Sequence, residues 1–238
     1  LTYNNNSLIS NCTFINNKGT GTNPAGAAVA IDNFGGNSST FTDCRFISNT
    51  GAIKGGAIYL FFNGSTAIDF KGCVFANNTA TNGGAVYQDK NTGQEVPNFE
   101  NCLFVNNQAS QKAGALYLNS SAATITNSTI YGNSTTSATE NSGAIYAPNG
   151  VTISNSILWN NTSAAGGAQQ QIDFGTSTPT ISYSIVQGAT IMAGTGNSNA
   201  NPLFVNTSDA DGADNLYATI DDGLALGGCS PALNTGNN

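Results

Sequence analysis

The amino-acid sequence predicts an all-β fold, a right-handed parallel β-helix (solenoid) of about seven coils with three short strands in each. Three observations predict it. A Cys-x-Phe-x-x-Asn motif returns every 26 to 32 residues, a Gly-Gly-Ala-aliphatic-Tyr motif lies between its copies, and no segment carries an amphipathic helical period with caps.

The first motif reads NCTFINN (11–17), DCRFISN (43–49), GCVFANN (72–78) and NCLFVNN (101–107), then weakens to NSTIYGN (127–133), NSILWNN (155–161) and YSIVQGA (183–189). Its first column is Cys12, Cys44, Cys73, Cys102, Ser128, Ser156 and Ser184, at spacings of 32, 29, 29, 26, 28 and 28 residues. Two residues on, Phe14, Phe46, Phe75, Phe104, Ile130, Leu158 and Val186 are all apolar, so this parity faces the core. Arg45 occupies the position between the two columns, which assigns that parity to the outside. The column Asn17, Asn49, Asn78, Asn107, Asn133 and Asn161 suits stacked amides that bond from coil to coil, and asparagine tolerates the left-handed backbone of tight turns.

The second motif reads GGAIY (55–59), GGAVY (83–87), AGALY (113–117) and SGAIY (142–146). A third, alternating run precedes each Cys or Ser, as in STFTDC, TAIDFKGC, ATITNS and VTISNS. Three strand-like runs separated by Gly, Asn, Ser and Thr make one coil of a parallel β-helix. Coils are expected over residues 1–190, followed by a closing coil region with an acidic loop, 191–238, in the same domain.

Charged residues are 8% of the 238 and the net charge is −7. The six basic residues are scattered singly, which excludes the clustered basic face that nucleic acid or an anionic membrane surface requires. No apolar run approaches the roughly 20 residues that span a bilayer. The chain begins at Leu1 with no signal peptide and stops at Asn238, and it is read as part of a longer chain.

The FxxN and GGA(I/L/V) repeats resemble those of chlamydial polymorphic outer membrane proteins and of pectate-lyase-like β-helix proteins secreted by Bacteroidota. The tail resembles the C-terminal coil region of secreted bacterial β-helix surface proteins, through YSIVQG, NANPLFVN and GGCSPALNTG. Cys229 and Asn234 depart from the residues usual in that pattern. The resemblance implies export and display at the bacterial cell surface in an adhesin-type protein.

Candidate sites are few. The cysteine column reads as small buried thiols, with serine filling the same slot further on. Its rival is disulfides between neighbouring coils, since stacked strands fall within the permitted Cα separation. Tyr59, Tyr87, Tyr117 and Tyr146 form an outward column, read either as cross-coil stacking or as an aromatic strip for glycan or protein ligands. Asp209, Asp211, Asp214, Asp221 and Asp222 surround DADGADN, a spacing that suits an oxygen-ligand calcium loop or a solvated insertion. No cofactor is assigned, calcium at this loop being the one candidate.

With no histidine, a hydrolase triad is excluded. Asp32, Asp43, Asp69 and Asp89 occupy non-equivalent places, so no catalytic pair is assigned. The threonines show no regular Thr-x-Thr column, which weighs against an ice-binding face. The expected function is a non-enzymatic structural or adhesin-type module with surface glycans or cell-surface proteins as partners. The alternative is a carbohydrate-active enzyme of the polysaccharide lyase or glycosidase type.

Overall fold

The computed structural model describes residues 7–20, 26–33, 38–51, 53–62, 67–89, 96–119, 123–140, 142–166 and 170–236; the side chains of Asp32, Asn33 and Phe62 also lie outside the described set. Every sheet is parallel and runs along the stack. Sheet A comprises Leu8–Ser10, Ser39–Thr42, Ala67–Lys71, Val96–Glu100, Ala123–Thr126, Val151–Ser154 and Thr180–Ser182. Sheet B, built on the Cys-x-Phe motif, comprises Thr13–Ile15, Arg45–Ile47, Val74–Ala76, Leu103–Val105, Thr129–Tyr131, Ile157–Trp159 and Ile185–Val186. Sheet D, built on the Gly-Ala-aliphatic-Tyr motif, comprises Val29–Asn33, Ile58–Phe62, Val86–Gln88, Leu116–Leu118, Ile145–Tyr146 and Ile172–Asp173.

Two features differ from the expected seven equal coils of three strands. A fourth sheet, C, follows the asparagine column at Thr79–Asn82, Gln108–Lys112, Ser134–Thr135 and Thr162–Ser163. The coils in sandwiched positions number about five. In the first the inward Ile9 and Phe14 are only partly buried, and the last is reduced to two strands. Sheet C was hidden in the sequence because Thr, Gln, Ser and Asn there read as turn residues.

The corners explain the abundance of asparagine. The residue before each Cys or Ser is left-handed in all seven copies: Asn11, Asp43, Gly72, Asn101, Asn127, Asn155 and Tyr183, with φ between 49° and 62°. So is the residue before each column asparagine, namely Asn16, Ser48, Asn77, Asn106, Gly132 and Asn160. Asparagine and glycine bear this conformation at least cost, so the strands of sheet B are bent into the coil at both ends. At Gly84 a Cβ would lie 2.1 Å from the Gly114 carbonyl oxygen, so glycine is required where the chain passes between sheet C and the next coil.

The core is three walls of matched residues. Phe14, Phe46, Phe75 and Phe104 stack face to face with centroids 4.8, 4.9 and 4.7 Å apart. Phe41, Phe70 and Phe99 of sheet A stack at 5.2 and 5.0 Å and meet the first stack edge-on, as at Phe99–Phe104. Ile58, Val86, Leu116 and Ile145 of sheet D close the third side, fully buried.

The buried asparagines bond along the axis. The Asn49 backbone N–H and its Nδ2 both donate to Asn78 Oδ1, at 2.9 Å each. Asn78 repeats this to Asn107, Asn107 to Asn133 and Asn133 to Asn161. Each Nδ2 also donates back to the carbonyl of the preceding coil's Phe-column residue, Asn78 to Phe46 and Asn107 to Phe75.

All five cysteines are free thiols. Cys44, Cys73 and Cys102 are buried and donate to carbonyls of the coil before, for example Cys102 to Phe70 at 3.3 Å. Ser128 occupies the same slot and accepts from the Cys102 backbone N–H. Cys12 departs from the expected burial, because it belongs to the end coil and is exposed.

The segment expected to close the stack divides in two. Residues 192–198 do close it: Asn197 Oδ1 accepts from the Ser184 backbone N–H, and Ser198 pairs with Ile185. Residues 199–236 instead fold back along the outer face of sheet B. Phe204, Ala210, Tyr217 and Leu224 pack on its outward column of Val74, Ala76, Val105 and Tyr131. No helix among the described residues is long and apolar enough to cross a membrane.

Three outcomes are expected. Phe75→Ala should cost about 3 to 5 kcal/mol in urea unfolding, as buried aromatics do. Asn78→Ala should cost about 3 kcal/mol, because it strands two Asn49 donors and the Phe46 carbonyl, while Asn17→Ala at the open end should cost under about 1 kcal/mol. Alkylation of the native protein should label Cys12 and Cys229, with Cys44, Cys73 and Cys102 reacting only after denaturation; labelling of Cys73 at the rate of Cys12 would contradict the stack.

Candidate functional site

A solenoid offers its outer faces, and the three long ones here differ. On sheet D the alternation that buries Ile58 and Leu60 turns Tyr59 outward, and register places Tyr59, Tyr87, Tyr117 and Tyr146 in one column. The rings lie on one another, with centroids 6.1, 4.3 and 4.9 Å apart. Lys54 sits over the rings of Tyr59 and Tyr87 and pairs with Asp89, which also accepts from the Tyr59 hydroxyl. Lys112 lies 4.4 Å from the Tyr146 ring centroid and pairs with Glu140.

The aromatic faces that would stack on a sugar are therefore turned to each other and to lysines. Tyr87 is only 7% exposed. Burial pushes its hydroxyl well above the ordinary range, with Tyr117 and Asp89 adding to the shift. Burial likewise raises Tyr117, followed by the neighbouring Tyr146. The geometry is that of cross-coil stacking.

On sheet B the C-terminal segment covers the outward column. Its own folding uses the acidic residues. Val205 N–H donates to Ala225 O and Asn206 N–H to Gly223 O, forming a short antiparallel pair. Asp222, almost fully buried, accepts from the backbone N–H groups of Ala218 and Thr219. Asp214 accepts from Leu216 N–H, and the Thr219 hydroxyl holds Asp221 below the usual carboxylate range. Tyr217, 5% exposed, reaches Asn77 and Asn106 across the face.

Asp214, Asp221 and Asp222 gather on the Thr219 hydroxyl, at 3.4, 2.8 and 2.9 Å, and Asp209 and Asp211 do not join them there. Among the described residues no three acidic or thiol side chains form a group able to hold a metal ion. Three of the five carboxylates, Asp214, Asp221 and Asp222, are engaged by backbone N–H groups and Thr219.

Among the described residues, sheet A is the long face left open. Its outward columns are Thr40, Asp69, Asn98, Thr124, Thr152, Thr180 and, two residues on, Thr42, Lys71, Glu100, Thr126, Ser154, Ser182. Asp69, Lys71, Asn98, Glu100, Thr124 and Thr126 line a shallow groove of about 390 Å³. Thr124 Oγ1 donates to Asn98 Oδ1 at 2.7 Å, and Asn98 Nδ2 donates to Asp69 Oδ1 at 2.8 Å.

Register aligns Thr-x-Thr in two coils and Thr-x-Ser in two more, but Asp69–Lys71 and Asn98–Glu100 stand between them, so no regular Thr-x-Thr column forms. Sequence reading missed this face because coils of unequal length hide which residues are neighbours. The signal was the alternation in TAIDFK, VPNFE and ATIT, read outward instead of inward.

The tyrosine shifts carry a pH dependence. A tyrosine whose folded value exceeds the unfolded value of about 10 stabilises the fold fully below pH 10 and loses that contribution as pH rises through the folded value. Absorbance titration should therefore show Tyr87, Tyr117 and Tyr217 ionising above pH 10 and together with unfolding. A single transition near pH 10 on a still-folded chain would contradict the buried stack.

Comparison with known proteins agrees with the architecture. The family model described as the right handed beta helix region matches residues 1–130. Neither the curated proteins nor the solved structures compared with the chain gave a match. Continuous parallel stacking, the coil repeat and the family match over more than half of the chain lead to one conclusion: the protein belongs to the right-handed β-helix family.

Proposed function

We propose that this chain is a non-enzymatic module of a secreted or bacterial cell-surface protein, an adhesin-type rod whose sheet A face binds surface glycans or cell-surface proteins. The observation that supports this reading is the contrast between faces. Sheet B is covered by the chain itself and the tyrosines of sheet D stack on one another, whereas sheet A presents an ordered row of hydroxyl, amide and carboxylate groups. Rigid, preorganised donors and acceptors suit recognition of a polyhydroxylated or peptide ligand, since little side-chain freedom is lost on binding.

A second reading has one specific observation in its favour. Asp69 and Glu100 line the same groove as Lys71, and two carboxylates with an amine are what a glycosidase or polysaccharide lyase would need.

One experiment separates the two. Glycan-array binding is measured beside release of reducing ends from the polysaccharides that bind. The module reading expects retention without degradation, and loss of retention in Asn98→Ala with an unchanged melting temperature. Degradation that disappears in both Asp69→Asn and Glu100→Gln would establish the enzyme instead. Binding that persists at full strength in Asn98→Ala would remove sheet A as the site.

A further inference from the structure

We propose a separate anion site on the outer face of sheet B, in which Arg45 binds the carboxylate of a small hydroxylated monocarboxylate such as a sugar acid. Arg45 is the only arginine in the chain. It stands in an outward column between Thr13 and the apolar pair Val74 and Leu103, which are fully and partly covered, so the guanidinium borders a short hydrophobic stretch. Arginine is seldom buried without a partner, because removing its charge from water is costly. Yet Arg45 is half-buried and takes part in neither of the ion pairs found among the described residues, Lys54–Asp89 and Lys112–Glu140.

The surroundings specify the missing partner. Arg45 lines a cavity of about 350 Å³ together with Asn11, Thr13, Asp43, Gly72, Val74 and Ala218, the last from the tip of the C-terminal segment. Asn11 and Asp43 are left-handed corner residues of successive coils, which turns both side chains off the strands. The planar guanidinium is built to take a carboxylate through paired hydrogen bonds. Asp43 accepts and cannot donate when ionised, so it matches ligand hydroxyls, and Asn11 and Thr13 supply both functions.

The net charge of −7 disfavours a polyanion, as does Asp43 in the lining. The best match is one carboxylate carried on a polyol. The fold-back of residues 199–236 would then have a second role beyond cover, because Ala218 supplies one wall.

The probes are gluconate and glucuronate, with glucose, acetate and sulfate as controls, titrated by calorimetry and by amide shift mapping. The expected result is saturable binding of the two hydroxy acids, weaker or no binding of the controls, and shifts centred on Asn11, Thr13 and Arg45. Arg45→Gln should weaken binding by at least about tenfold, the loss expected for one charge-assisted pair. Asn98→Ala on sheet A should leave it unchanged, which distinguishes this site from the proposed glycan face. Absence of saturable binding to the wild type would overturn the proposal. So would binding that survives in a folded Arg45→Gln variant, or shifts that map away from these residues. Should Arg45→Gln fail to fold, the wild-type shift map decides alone.

Discussion

Each coil is held to the next by backbone hydrogen bonds between equivalent residues, and the buried asparagine column fixes which residues are equivalent. Asn49, Asn78, Asn107 and Asn133 each give two donors to the amide oxygen of the next coil and one to a carbonyl of the coil before. A slip of one residue would take Asn78 out of this column, with Asn77 or Thr79 in its place, and would put Val74 or Ala76 where Phe75 fills the stack. Both errors are expensive, since an unpaired buried amide and an unfilled cavity each cost kilocalories. Register is therefore set from inside, and the outer faces are left free to vary.

That freedom is visible in the three outer faces. Sheet D stacks tyrosines under lysines, sheet B carries an apolar column, and sheet A carries hydroxyls, amides and a few charges. An exposed apolar column such as that of sheet B is an association hazard. Residues 199–236 remove it by folding their own short antiparallel pair and pressing Phe204, Tyr217 and Leu224 against the sheet. Their aspartates serve this local fold, accepting backbone N–H groups at tight turns. The first and last coils differ as well: residues 192–198 complete the last, while the inward Ile9 and Phe14 of the first are only partly buried.

Much of the interior was legible in the sequence because it repeats. The Cys/Ser, Phe and Asn columns could be aligned without gaps; the first two face inward as alternation placed them, apart from the exposed Cys12, and the asparagines stack from coil to coil. Sheet C was not legible, because the residues Thr79–Asn82 and Gln108–Lys112 have the composition of turns. The fold-back of residues 199–236 carries no period, so nothing in the sequence aligned Tyr217 with Asn77 and Asn106. The sheet A groove depends on cross-coil neighbours separated by turns of differing length. Asp69 and Asn98 are 29 residues apart and Asn98 and Thr124 are 26, yet they form one chain of hydrogen bonds. The tyrosine column was visible, but not that its rings face one another.

Native-state amide hydrogen exchange tests the central role of the asparagine column most directly. If the column fixes register and stability, the backbone N–H groups of Asn49, Asn78, Asn107 and Asn133 exchange only through global unfolding, at one common free energy. Protection then falls away toward Asn17 and across residues 199–236. Exchange of those four amides at the rate of the C-terminal segment, or at four unrelated free energies, would contradict it.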